Sequence, residues 1–478
     1  MSSRPGTNRP QRKGTGPARP RGQRSDPARR VALDVLLAVA DRDAYANLLL
    51  PELIARRGLA GRDAALATEL SYGTLRGQGT YDAILAICSD RRLDSLDAVV
   101  RESLRLGTHQ LLATRIGAHA AVATSVDLVK DAAGPRPAGF VNAILRRVAT
   151  RDLAAWLEIA APAAAADRTG HLAVRFSHPR WIVEAMAAAL AGQPATSQPG
   201  ELAALLAADN ERPRVHLAVV PGLADRDELL GAGCQPARFS PYGGYLPAGD
   251  PAAIAPVAAG RAGVQDEASQ LAAIALARAA NEGSDARWLD LCAGPGGKAR
   301  LLAGLAAQRG ARLLAAELRQ HRARLVRDAI SVTGSAAAIT ADGTRAAWRP
   351  GAFDRVMADV PCSGLGALRR RPEARWRRSE GDLAALGALQ RALLRSALDA
   401  ARPGGVVAYV TCSPHLAETR DVLADVLAAR DDAVALDAPA LLAEVPDIRS
   451  GPDGRYAQFW PHVHGTDAIF LALLRRIG

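Results

Sequence analysis

Two cysteines stand directly after apolar runs that read as strands. Cys362 lies in Asp359-Val360-Pro361-Cys362-Ser363-Gly364, after Val356-Met357-Ala358, and Cys412 lies in Thr411-Cys412-Ser413-Pro414, after Val406 to Val410. A lone buried cysteine is more often a small core hydrophobe than a nucleophile. Two of them at the ends of parallel strands, one preceded by an aspartate, reverse that expectation, because strand ends of an open α/β sheet face the ligand crevice. One reaction that needs such a thiol is addition to carbon 6 of a cytosine. Carbon 5 is a poor nucleophile until the thiolate adds beside it; the resulting enamine takes a methyl group, the carbon 5 proton leaves and the thiol is eliminated. One cysteine would attack while the other assists release. Asp359 is the candidate for hydrogen bonding or proton donation at N3.

A second cluster lies upstream. The strand Trp288-Leu289-Asp290-Leu291 runs into Cys292-Ala293-Gly294-Pro295-Gly296-Gly297-Lys298 and then a helix beginning near Ala299. A glycine loop between strand and helix presents amide donors and a helix N-terminus to a nucleotide-like ligand. Pro295 breaks the GxGxxG pattern, and the loop is not a Walker loop, which argues against dehydrogenase and NTPase readings. Only Lys13, Lys130 and Lys298 are lysines among the 60 basic Lys and Arg side chains, so Lys298 stands out where an ammonium and a guanidinium are not equivalent. Glu317, Asp342 and Asp359 each follow an apolar run, and Glu317 falls about 20 residues beyond the loop, where a carboxylate meets ribose hydroxyls.

The elements that must hold these groups divide the chain in four. Residues 1–26 form a basic tail expected to be disordered. Residues 27–151 carry helical periodicity broken at Gly58-Leu59-Ala60-Gly61 and Gly134-Pro135-Arg136-Pro137, which predicts an all-helical domain of six or seven helices. Residues 152–258 mix helices with short alternating runs such as Arg214 to Val220, an α+β connector. From 259 to 478, strands at Trp288–Leu291, Arg312–Ala316, Arg355–Ala358, Val406–Val410 and Ile469–Leu473 alternate with helices, the pattern of a doubly wound parallel sheet with a Rossmann-like fold.

The formal charge of +11 is mostly local: residues 1–30 hold nine basic side chains against Asp26, leaving +3 for everything after. Such a tail serves equally as a solubilising segment or an RNA contact. Five scattered cysteines without CxxC spacing fit reduced, cytosolic thiols rather than a disulfide scaffold. No apolar leader or spanning run is visible, so membrane association is not expected. No metal-ligand spacing occurs either, and a monomer would suffice for the chemistry.

The residues from 260 to 478 resemble the RNA cytosine-5 methyltransferases of the NOL1/NOP2/Sun family. The likeness rests on the glycine loop, both cysteine motifs, Gln265-Asp266-Glu267-Ala268-Ser269, Arg371-Pro372, and Pro461-His462 with Gly465-Thr466-Asp467. Ser177-His178-Pro179 and Trp181 resemble the connector of these enzymes. Phe140-Val141-Asn142-Ala143-Ile144-Leu145-Arg146 resembles the NusB-type RNA-binding fold found in bacterial members that act on small-subunit rRNA. The resemblance implies Cys412 as nucleophile, Cys362 as the releasing thiol, and Asp359 and Lys298 beside them. It implies S-adenosylmethionine as cofactor, in a site lined by Cys292, Ala293, Gly294, Pro295, Gly296, Gly297, Lys298, Glu317, Asp342 and Asp359. The chain departs from the family pattern at Gly294 (commonly alanine), Ala299 (threonine), Glu317 (aspartate), Thr419 (asparagine) and Ala468 (glycine).

Two other readings stay open at this level. One keeps the enzyme and changes the substrate to tRNA, or to DNA, where the Pro-Cys thiol typically attacks. The other is a NusB-like RNA-binding or antitermination factor whose methyltransferase fold is inactive.

Overall fold

The Asp26 carboxylate accepts from the Arg29 amide at 3.0 Å, and Pro27 takes the first helical position, so α1 (Pro27–Arg42) begins where capping chemistry places it. It is followed by α2 (Ala46–Arg56), α3 (Gly61–Cys88), α4 (Ala98–Ala113), α5 (Ala118–Ala133) and α6 (Ala138–Val148). Asp97 caps α4 in the same way, and Gly134, at a positive φ, closes α5 with its amide donating to the Lys130 carbonyl at 3.0 Å. The computed structural model describes residues 25–192, 200–345, 347–451 and 453–477. The expected basic tail therefore lies almost entirely outside the described residues.

The described residues divide into two units: those up to 44 with 48–74 and 84–153 form one, and those of 45–47, 75–83 and from 154 onward the other. The first is held by apolar faces of its helices, among them Leu33 and Leu36 of α1, Leu104 of α4, Leu128 of α5 and Leu145 of α6, all essentially inaccessible to solvent.

In the second unit, β1 (Val215–Val219), β2 (Gln235–Pro236), β3 (Gly243–Leu246) and β4 (Ala262–Val264) build a small antiparallel sheet in the order β2-β3-β1-β4. Its last strand falls beyond residue 258. The sequence boundary there separates β4 from its sheet, because β4 carries no local sign of the antiparallel pairing with β1 that assigns it.

The remaining strands form one nine-stranded sheet: β5 (Arg287–Asp290), β6 (Arg312–Glu317), β7 (Ala336–Thr340), β8 (Phe353–Asp359), β9 (Ala401–Thr411), β10 (Ala433–Leu436), β11 (Arg449–Ser450), β12 (Tyr456–Gln458) and β13 (Phe470–Arg476). The order β7-β6-β5-β8-β9 is parallel throughout. Beyond β9 the sheet changes sense: β13 pairs antiparallel with β9, and β10, β11 and β12 are antiparallel as well. The expectation that Ile469–Leu473 would extend a wholly parallel sheet is thus corrected. An apolar run specifies a buried strand but not its direction, which follows from the connection that precedes it.

Strand alternation splits the core into two faces. Val406, Ala408 and Val410 of β9 join Trp288 and Leu313 under the helices Glu267–Arg278 and Gly297–Ala307. Val407 and Tyr409 join Leu289, Val356 and Phe470 under the helices Asp382–Ala400 and Arg420–Ala428. Two covered faces fix the five parallel strands rigidly, and their carboxyl ends open on one rim.

Candidate active site

That rim collects the groups marked in the sequence. The turn after β5 leads into the helix Gly297–Ala307, which starts two residues earlier than expected. Gly296 has φ of 115°, and a Cβ there would lie 2.8 Å from the Ala329 side chain, so only glycine fits the turn. Lys298, in the first turn of that helix, donates from Nζ to Asp359 Oδ2 at 2.9 Å and to Ser269 Oγ at 3.3 Å. Burial alone would lower the lysine; Asp359 first, then Cys412 and Asp290, reverse this and raise it, so the ammonium stays charged.

Cys362 and Cys412 meet with their sulfurs 3.3 Å apart. The backbone leaves them little freedom: the Val360 amide donates to the Val410 carbonyl at 3.0 Å and the Gly366 amide to the Cys412 carbonyl at 2.8 Å. Their environments differ. The hydrogen bond with Cys362 draws the Cys412 thiol down, against burial and the charge of Asp359, with Lys298 adding to the lowering. The same hydrogen bond, then burial and the neighbouring charges of Cys412 and Glu418, push Cys362 well up. Of the two thiols, Cys412 is the one whose surroundings favour the thiolate. Cys292, by contrast, is pushed well up by burial and by Asp290, Asp359 and Glu317, and the opposing charge of Arg322 does not offset them.

Glu317 ends β6 and is almost fully buried; its Oε1 accepts from the Arg319 amide at 2.9 Å and its Oε2 lies 3.7 Å from Arg322 Nε. Asp342 behaves differently. It accepts from the amide and hydroxyl of Thr344 at 2.9 and 2.7 Å, so its side chain caps its own turn. The Thr344 hydroxyl, then its amide, hold this carboxyl below its usual range.

Several groups escaped the sequence reading. Both carboxylate oxygens of Asp290 are buried without a hydrogen-bond partner, and burial, followed by the charge of Asp359, pushes the group up to about 8. Glu418 is buried and accepts from the Ser363 amide at 2.7 Å, the Ser363 hydroxyl at 2.5 Å and Gln390 Nε2 at 3.1 Å, bracing the loop that carries Cys362. Asp467 pairs with Arg370, and its amide donates to Asp266 at 3.1 Å. Burial, then repulsion from Asp467, raises Asp266 to about 7. Asp266 and Asp467 appeared in the sequence only as parts of motifs; neither Asp290, Glu418 nor Arg322 had a local signal, since each acquires its meaning from a partner distant in sequence.

Comparison with known proteins adds a second kind of observation. Residues 274–475 match the family model for 16S rRNA methyltransferase RsmB/F, and residues 26–150 match the NusB family. A protein of Mycobacterium tuberculosis named only as a methyltransferase, Rv1407, is 52% identical over 96% of this chain and 98% of its own. Ribosomal RNA small subunit methyltransferase B of Pseudomonas putida is 33% identical over 94% of this chain and 98% of its own. This chain belongs to the RsmB/F family of methyltransferases. It joins an N-terminal NusB-family helical domain to a C-terminal methyltransferase domain. The crystal structure of PH0851 shares the fold, with a TM-score of 0.77 at 20% identity over 95% of this chain and 99% of that one. In this RsmB/F member no helix among the described residues is long and apolar enough to cross a membrane.

Proposed function

We propose that this chain methylates carbon 5 of a cytosine in RNA, most specifically in small-subunit rRNA, with S-adenosylmethionine as methyl donor. The observation that carries the reading is the unequal thiol pair, Cys412 and Cys362, with the ion pair of Lys298 and Asp359 beside it. The rRNA substrate is argued from the relatives, several of which are named as small-subunit rRNA methyltransferases, and from the NusB-family domain, which supplies a second surface for RNA.

The residues on the rim fit the cofactor. A Cβ at Gly297 would meet nothing within 4 Å, so the loop leaves an open cradle next to a helix N-terminus. Glu317 is the buried carboxylate suited to ribose hydroxyls, and Asp290 carries two oxygens without partners, suited to a cationic group. S-adenosylmethionine, when bound, supplies the electrophilic methyl group.

The protein's own part begins at Cys412. Its thiolate adds to carbon 6 of a cytosine extruded from its stack, and the electron pair moves toward carbon 5 while a donor stabilises N3. Asp359, tied to the Lys298 ammonium, presents a hydrogen-bonded acid-base pair for that position. After carbon 5 is methylated its proton is lost to water, the ring double bond re-forms and the carbon-sulfur bond breaks. Cys362, in hydrogen-bond reach, stabilises the departing Cys412 thiolate.

The test is methyl transfer from S-adenosylmethionine to small-subunit rRNA or its assembling particle, with the product mapped by bisulfite sequencing. 5-Methylcytosine at a defined position supports the reading. Methylation confined to tRNA would change the substrate. RNA binding without any transfer would favour a NusB-like binding factor instead.

A further inference from the structure

We propose that Gly294 and Glu317 are a matched pair: the missing side chain at 294 is the space in which the longer carboxylate sits, and Arg322 locks the two together. The inference rests on the cofactor reading above and concerns how this chain shapes that site.

A Cβ built on Gly294 would lie 2.0 Å from Glu317 Oε2, 2.8 Å from Glu317 Cδ and 2.9 Å from Arg322 Nη2. Those distances are far inside van der Waals contact, so one of the partners has to move. The backbone cannot yield readily. The Ala293 amide donates to the Ala316 carbonyl at 2.9 Å, tying the loop to the end of β6, and the Ala341 amide donates to the Glu317 carbonyl at 3.1 Å, tying β6 to the turn after β7.

The loop carbonyl is held too, since Arg322 Nη2 donates to Gly294 O at 2.6 Å while its Nε faces Glu317 Oε2 at 3.7 Å. One guanidinium thus spans the loop and the carboxylate. What can yield is the end of the Glu317 side chain, at the expense of the bond its Oε1 accepts from the Arg319 amide. An alanine at 294 should therefore leave the fold intact and displace the carboxylate, so that the loss falls on ligand binding rather than stability. An aspartate at 317 withdraws from the space and restores room for the Cβ, but by itself leaves the carboxylate short of the position this loop provides.

The experiment is calorimetric titration of S-adenosylmethionine and S-adenosylhomocysteine into wild type, G294A, E317D and G294A/E317D, with thermal unfolding of each. The expected result is at least about a tenfold weaker Kd for each single variant, the scale of a hydrogen bond to a charged group, with the G294A unfolding midpoint unchanged. The double variant should recover to within about threefold of wild type, which is the signature of coupling. A G294A protein that binds as wild type does, or losses that simply multiply in the double variant, would overturn the pairing while leaving the cofactor reading intact. A wild-type chain that binds neither molecule would remove the cofactor reading and the pairing with it.

Discussion

The sulfurs of Cys412 and Cys362 lie 3.3 Å apart on loops that follow adjacent parallel strands, and the contact lowers the Cys412 thiol while raising that of Cys362. That asymmetry supports the proposed attack by Cys412. Cys412→Ala should lower methyl transfer by about a thousandfold or more, as loss of a covalent nucleophile does. Cys362→Ala should keep attack and lose release, accumulating a protein-RNA adduct that survives denaturing electrophoresis. Adduct from Cys412→Ala but not from Cys362→Ala would reverse the assignment.

Lys298 contributes to the same asymmetry, because its ammonium is among the charges that lower Cys412. Removing it should raise the thiol. Iodoacetamide alkylation of Cys412, followed by mass spectrometry across pH, should show its inflection moved to higher pH in Lys298→Met than in wild type. An unmoved inflection would mean that the lysine serves Asp359 alone.

Glu418 offers a test of positioning. It accepts three hydrogen bonds beneath the Cys362 loop, two of them from Ser363. Glu418→Ala strands the buried Ser363 amide, which should cost about 1–3 kcal/mol in unfolding free energy. Misplacing Cys362 should also slow turnover on the order of tenfold to a hundredfold and lengthen the life of the adduct. Glu418→Gln, which keeps the acceptor toward the amide, should recover part of both. Equal losses in the two variants would point to a requirement for the charge instead.

The contrast between Cys412 and Glu418 explains how much the sequence disclosed. Strand, loop and helix are local, so the glycine loop, Lys298 and both cysteines could be placed from apolar runs and the residues that end them. Direction and pairing are not local. The reversal at β13 and the membership of β4 depend on partners many residues away, as does the function of Arg322, five residues past Glu317 yet bonded to Gly294. Asp342 shows a further limit: it has the expected position after its strand, but nothing in the sequence signals that Thr344 bonds one of its carboxylate oxygens. A strand-end acid read from spacing alone cannot show which partner it chooses.

The buried pair of His178 and Asp209 gives a prediction about stability. His178 Nε2 and Asp209 Oδ2 are 3.5 Å apart, but neither atom has a hydrogen-bond partner. Burial raises Asp209 to about 7, against the pull of Arg375 and Arg369 and with the repulsion of Asp467. Its unfolded value is near 3.9. Between those limits the folded state binds the extra proton, so Asp209 removes stability as pH rises from about 4 to about 7 and the loss is complete above that range. His178 acts in the opposite sense. Burial, then Arg375, holds it well below its usual value, so the histidine withdraws stability as pH falls below about 6.5. Asp209→Asn removes only the first of these. Relative to wild type, its unfolding midpoint should gain as pH is raised from 4 to 8 and level off above 7, while the acid loss due to His178 remains. A difference independent of pH would mean that Asp209 is ionised throughout, paired with His178 or Arg375, and that the buried charge is stabilised rather than suppressed.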